Sequence, residues 1–132
     1  MAYATALSGD PFATYRQIDV VGRTAEAQGP GLVQLLYEEL VSALRAAAWA
    51  VENNQLRTKS ERVTRATAIL FALESGLDFE RGGDVSATLA RLYAGIRRTV
   101  VDASVGTDPA PFRAAATSLN EIADAWRTAR AG

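Results

Sequence analysis

Carboxylates and arginines are the groups with which this 132-residue chain could do chemistry, because it contains neither cysteine nor histidine. That absence excludes a disulfide framework, a thiolate nucleophile, an iron–sulfur cluster, a Ser-His-Asp triad and any His-bearing zinc or di-iron centre. The acidic groupings are Glu38-Glu39, Glu74 with Asp78, and Glu80 with Asp84. General acid or base work needs burial or like-charge crowding to move a carboxyl pKa. These groups fall on the polar faces of the expected helices, beside arginines such as Arg81, and read as solvated charge. Arg91 and Arg97-Arg98 could clamp a dianion bidentately, as some histidine-free helical enzymes do. Consecutive helical residues, however, point about 100° apart, so the pair cannot face one pocket. No catalytic, cofactor or metal site is expected.

Charge and hydropathy narrow the partners. With 14 basic against 15 acidic side chains, net −1, the chain lacks the Lys/Arg excess that phosphate backbones select, so no nucleic acid partner is expected. No run reaches the 18 apolar residues of a membrane span, and the start Met-Ala-Tyr-Ala-Thr-Ala-Leu has no charged n-region. The expected location is the cytosol, without membrane insertion. A chain of this size buries roughly two-thirds of its unfolded surface, enough for one core. Alanine supplies 26 residues, favouring helix and letting helix axes approach closely.

The elements that must position these groups follow from the punctuation. Gly29-Pro30-Gly31 precedes a first helix at about 31–53, whose apolar arc, Leu32, Leu35, Leu36, Ala43, Ala46, Ala47 and Ala50 widened by Leu40, Leu44 and Val51, is too broad for one neighbour. Asn53-Asn54 reads as a stop, with Thr58-x-x-Glu61 as a capping box for a second helix at about 55–80. Its stripe is Val63, Ala66, Ile69, Leu70, Leu73 and Leu77, and Gly82-Gly83 is read as its end. Asp84 then caps a third helix at about 84–104, with Val85, Leu89, Leu92, Ile96 and Val100 inward. Gly106-Thr107-Asp108-Pro109 starts a fourth at about 109–130, on the stripe Phe112, Ala115, Ala116, Leu119, Ile122, Ala123 and Trp126. Short linkers favour antiparallel neighbours, so the expected fold is all-α, an up-down-up-down four-helix bundle over residues 30–131.

Residues 1–29 read as a partly mobile N-terminal segment docking on the bundle, with Asp10-Pro11 capping a short helical turn that sets Phe12 beside Tyr15. Phe71, Phe79, Tyr93 and Val101 fall off the inward stripes, and Trp49 and Val41 sit at the edges of theirs. Two readings stand: these positions are the core of a skewed bundle, or they border a hydrophobic groove for a partner. Phe12 and Tyr15 are accordingly an ordinary tether or a detachable plug.

The run Leu35-Leu36-Tyr37-Glu38-Glu39, then Ser75-Gly76-Leu77-Asp78-Phe79-Glu80-Arg81-Gly82-Gly83-Asp84, then Leu89-Ala90-Arg91-Leu92-Tyr93, Arg97-Arg98 and Ala125-Trp126 resembles the flagellin-specific export chaperone family, FliS. Coverage runs from about Tyr15 to Trp126, and the Leu-Asp-x-x-x-Gly-Gly connector followed by Leu-Tyr is its most specific part. Two departures stand out: Gly29-Pro30 replaces Ser-Pro, and Ala94-Gly95-Ile96 stands where the family usually has an acidic residue and a second aromatic.

The resemblance implies a non-enzymatic cytosolic chaperone that binds the disordered C-terminal segment of flagellin, prevents early polymerisation and delivers it to the flagellar type III export gate. The gate and other flagellar regulators are further implied partners, with the chaperone a monomer or weak homodimer. Carried over by position, the flagellin-binding groove is Leu73, Leu77, Phe79, Leu89, Tyr93 and Ile96, covered in the free protein by Phe12 and Tyr15. Leu77, Leu89 and Ile96 equally fit a pure core role. The rival reading is a general helical adaptor or secretion cochaperone with a non-flagellin client.

Overall fold

Pro30 opens the first helix in the computed structural model, at a position where a missing backbone N–H leaves no helical bond unmade. The structure describes residues 30–131, with side chains from Gly31 to Thr128. The expected N-terminal turn, with Phe12 and Tyr15, lies outside the described residues. Among the described residues there are four helices and no strand: α1 (Pro30–Glu52), α2 (Leu56–Ser75), α3 (Phe79–Ser104) and α4 (Ala110–Ala131). None is long and apolar enough to cross a membrane.

The helix ends have local causes. Asn53 closes α1 by donating its side-chain amide to the Trp49 carbonyl at 2.8 Å, and Asn54 takes the left-handed conformation at φ 55° that asparagine tolerates better than most residues. Helix α2 begins at Leu56 after Gln55, which makes no side-chain cap bond. Thr58 and Glu61 therefore lie inside the helix, and the expected capping box does not form. Asp108 Oδ1 accepts from the Ala110 amide at 2.9 Å and starts α4.

The connector between α2 and α3 departs most from the sequence reading. Helix α2 stops at Ser75, with Gly76 as its cap, not at Gly82-Gly83. Asp78, not Asp84, caps α3: its Oδ1 accepts from the Glu80 and Arg81 amides at 3.1 and 3.0 Å. The glycines come one turn later, where Gly83 (φ 48°, ψ −120°) kinks α3. The Ser86 hydroxyl donates across the kink to the Asp78 carbonyl at 2.8 Å. A Cβ on Gly82 would lie 2.0 Å from Ser86 Oγ, so Gly82 admits the hydroxyl while Gly83 supplies the bend.

Each helix packs on two neighbours, α1 on α2 and α4, α2 on α3, and α3 on α4, which closes a four-helix ring. Cross-helix pairs give the directions. Glu38 and Glu52 of α1 meet Arg127 and Arg113 of α4, so the two numberings run oppositely. On α2 and α3, Lys59 donates to the Gly106 carbonyl at 2.9 Å while Glu74 pairs with Arg97, again in opposite order. Arg65 joins α2 to Glu39 of α1 at 2.5 Å.

The core matches the breadth of the α1 arc. Leu36, Tyr37, Leu40, Leu44, Ala47 and Ala48 are almost fully buried, against Ile69 and Leu70 of α2 and Phe112, Ala116 and Leu119 of α4. Each fully buried Leu, Ile or Phe contributes about 1.5–3 kcal/mol, and the alanines in the second half of α1 keep the axes close. On α3 the inward stripe is Ser86, Leu89, Tyr93, Ile96, Val100 and Ala103, a strict alternation of three and four. Val85, expected inward, is exposed. Tyr93, expected off the stripe, is on it.

Candidate binding site

At the centre of the ring, across the diagonal that no backbone contact spans, the Tyr37 and Tyr93 hydroxyls meet at 2.7 Å. Their rings stand edge to face with centroids 6.2 Å apart, and Trp126 of α4 lies 4.7 Å from the Tyr37 ring. Both tyrosines are at most 1 % exposed. Burial raises both phenol pKa values, since a phenolate would be left in an apolar interior. Buried phenols need partners, and each of these is the other's.

Beside this pair opens a cavity of about 320 Å³. Helix α1 contributes Leu32, Val33 and Leu36; the end of α2 contributes Ala72 and Leu73; the connector contributes Gly76, Leu77 and Asp78; and Leu89, Tyr93 and Trp126 close it. The lining is mostly apolar, with Asp78, whose carboxylate caps α3, as its one charged residue. Such a concavity suits an apolar side chain or a helical face far better than a charged metabolite.

Four of the six residues expected to border a groove, Leu73, Leu77, Leu89 and Tyr93, meet here. The other two do not. Phe79 sits on the capped turn, 55 % exposed and outside the lining. Ile96 is buried and faces a second groove, about 440 Å³, between α3 and α4 with Gly95, Pro111 and Ala115. Tyr93 belongs to both the core and the cavity wall, so for this residue the core and groove readings do not exclude each other. Of the other off-stripe residues, Phe71 and Val101 are about half exposed, as is Trp49, while Val41 is buried.

Sequence reasoning missed the α1 wall and the partner of Tyr93. A usable signal was present: Leu36-Tyr37 and Leu92-Tyr93 are two Leu-Tyr dipeptides, and their hydroxyls pair. The arginines make no clamp, because Arg97 is engaged with Glu74 while Arg98 is exposed. No group of three or more acidic side chains is placed to hold a metal ion among the described residues.

The family model for Flagellar protein FliS matches residues 11–132. The chain belongs to the FliS family. It is similar to the flagellar secretion chaperone FliSB of Pseudomonas aeruginosa, 29 % identical over 85 % of this chain and 89 % of that protein. It is similar to the flagellar secretion chaperone FliS of Salmonella typhimurium, 29 % identical over 86 % of this chain and 84 % of the relative. The FliS of Bacillus subtilis is 28 % identical over 91 % and 86 %. FliS is a family of flagellar export chaperones and not of enzymes.

Proposed function

We propose that this FliS-family chain is a cytosolic chaperone for flagellin. It binds the C-terminal segment of the newly made subunit, keeps it from polymerising early and delivers it to the flagellar type III export gate. The observation that carries this reading is the open apolar cavity walled by Leu73, Leu77 and Leu89 beside the tyrosine pair. A segment that folds on binding can fill such a site with one apolar face, at an affinity lowered by the free energy of ordering it, which suits later release. Residues 1–29, with Phe12 and Tyr15, cover the cavity in the free protein and leave when the client arrives.

Calorimetric titration of the full chain with the C-terminal segment of flagellin from the same organism tests the reading, with an N-terminal flagellin segment as control. The expected result is saturable 1:1 binding to the C-terminal segment alone, with a negative heat-capacity change from apolar burial. Absence of binding by a folded sample at two temperatures would replace flagellin with another client, as an adaptor role requires. Removal of residues 1–16 should leave affinity unchanged or higher. A large loss without loss of helicity would make that segment part of the contact.

A further inference from the structure

The connector between α2 and α3 supplies Gly76, Leu77 and Asp78 to the cavity lining, yet the turn that follows is poorly packed. Asp78, Phe79, Glu80 and Arg81 are all exposed. The turn closes on itself: Asp78 Oδ1 accepts from the Glu80 and Arg81 amides, and the Asp78 carbonyl accepts from the Gly82 amide at 2.8 Å. Gly83 then leaves helical geometry, and a glycine leaves the angle between this turn and the rest of α3 soft. Leu77, partly buried against the core, holds one side of the turn. On the other side Ser86, 5 % exposed, donates across the kink to the Asp78 carbonyl at 2.8 Å. Ser86 takes the first place on the inward stripe of α3, where an apolar side chain would bury more surface. What the serine supplies in exchange is this one bond. Gly82 keeps the place of the hydroxyl clear, since a Cβ there would fall on it.

We propose that Ser86 is a positioning residue for client binding: its bond to the Asp78 carbonyl fixes the capped turn and so holds Leu77 in the cavity wall. A wall fixed before the client arrives need not be ordered by the client, and binding keeps that free energy. The inference rests on the client reading above and deepens it, because it names the residue that sets the shape of the cavity mouth without touching the client.

The test uses the full chain, the C-terminal segment of flagellin and the variants Ser86→Ala and Gly82→Ala. The first deletes the donor and the second crowds it out, so both break the same bond. With helicity unchanged and at a temperature where every variant is folded, each should bind the segment about fivefold more weakly, the worth of one neutral hydrogen bond. Undiminished affinity in folded Ser86→Ala would overturn the proposal, and if that variant does not fold, Gly82→Ala decides in its place. Action through Leu77 is read from a double-mutant cycle. Leu77→Ala should cost wild type severalfold in affinity and the Ser86→Ala background clearly less, whereas Leu32→Ala, on the α1 wall, should cost both equally. An equal loss from Leu77→Ala in the two backgrounds, or none in either, overturns the proposal. Hydrogen exchange of the free protein gives a reading that needs no client. The Glu80, Arg81 and Gly82 amides should exchange about fivefold faster in Ser86→Ala, with α1 unchanged, and equal rates at these amides overturn the proposal. Failure of the wild-type chain to bind the segment sinks the client reading and the role in binding with it, while the exchange rates still decide whether the hydroxyl fixes the turn.

Discussion

Replacing Gly83 by alanine should destabilise the protein, and the same replacement at Gly95, twelve positions along the same helix, should stabilise it. A Cβ at either glycine meets no atom within 4 Å, so crowding does not separate them. Backbone conformation does. Gly83 sits at φ 48°, ψ −120°, a region nearly closed to residues with a Cβ, and the strain is about 1–3 kcal/mol. Alanine also narrows the unfolded ensemble, which returns about 0.4–1 kcal/mol, leaving a net loss of about 1–2 kcal/mol. Gly95 is an exposed residue inside regular helix, where alanine gains about 0.5–1 kcal/mol over glycine. Urea unfolding followed by far-ultraviolet circular dichroism measures both. For a domain of this size 1 kcal/mol moves Tm by about 4–8 °C, so the variants should melt on opposite sides of wild type. A Gly83→Ala midpoint at or above wild type, with an unchanged slope, would refute the claim that the kink needs glycine.

Three further outcomes are expected. Tyr93→Asp places a carboxylate opposite Tyr37 in the core, where an unpaired buried charge costs about 3–5 kcal/mol; loss of cooperative unfolding by circular dichroism checks it, and a folded variant that merely stops binding would argue for a surface ring. Because both folded phenol pKa values lie above the ordinary 10.0, the pair's contribution is fully present below that pH and is lost as pH rises beyond it; alkaline melting should be steeper for wild type than for Tyr37→Phe/Tyr93→Phe. Asp78→Ala removes acceptors from two amides and should lower stability by about 1 kcal/mol in urea, with Asp78→Asn recovering most of it.

Local signals are legible where one residue decides the conformation. Pro30, Asn53-Asn54 and Asp108 mark ends that the structure places within a residue or two of the sequence reading. The apolar stripe of α4 is likewise readable, because its core side is a clean three-and-four repeat. The connector misleads because paired glycines look like a stop, yet Asp78 has already started a new helix that tolerates a bend. What decides that is Ser86 reaching back eight residues to the Asp78 carbonyl, a contact no helical wheel displays. Tyr93 misleads for a related reason. Leu92 is the more apolar neighbour, and only a partner hydroxyl 56 positions away makes the tyrosine the better residue to bury. The cavity itself draws walls from all four helices and a turn, so periodicity along single helices points to its α2 and α3 members but not to the α1 wall.

The two ion pairs between α1 and α4 also fix how those helices align. Glu38 and Glu52 are fourteen positions apart, as are Arg113 and Arg127, about 21 Å along each axis. Exposed pairs of this kind add little to stability. Their equal spacing acts as a vernier: slide α4 by one helical turn and both arginines leave their carboxylates together. Alanine-rich faces discriminate poorly between such slipped alignments, since one small side chain replaces another. Charge matched at two distant points therefore reinforces the alignment that the buried Phe112 and Leu119 already favour, and with it the placement of Trp126 against Tyr37 on which the shape of the cavity depends.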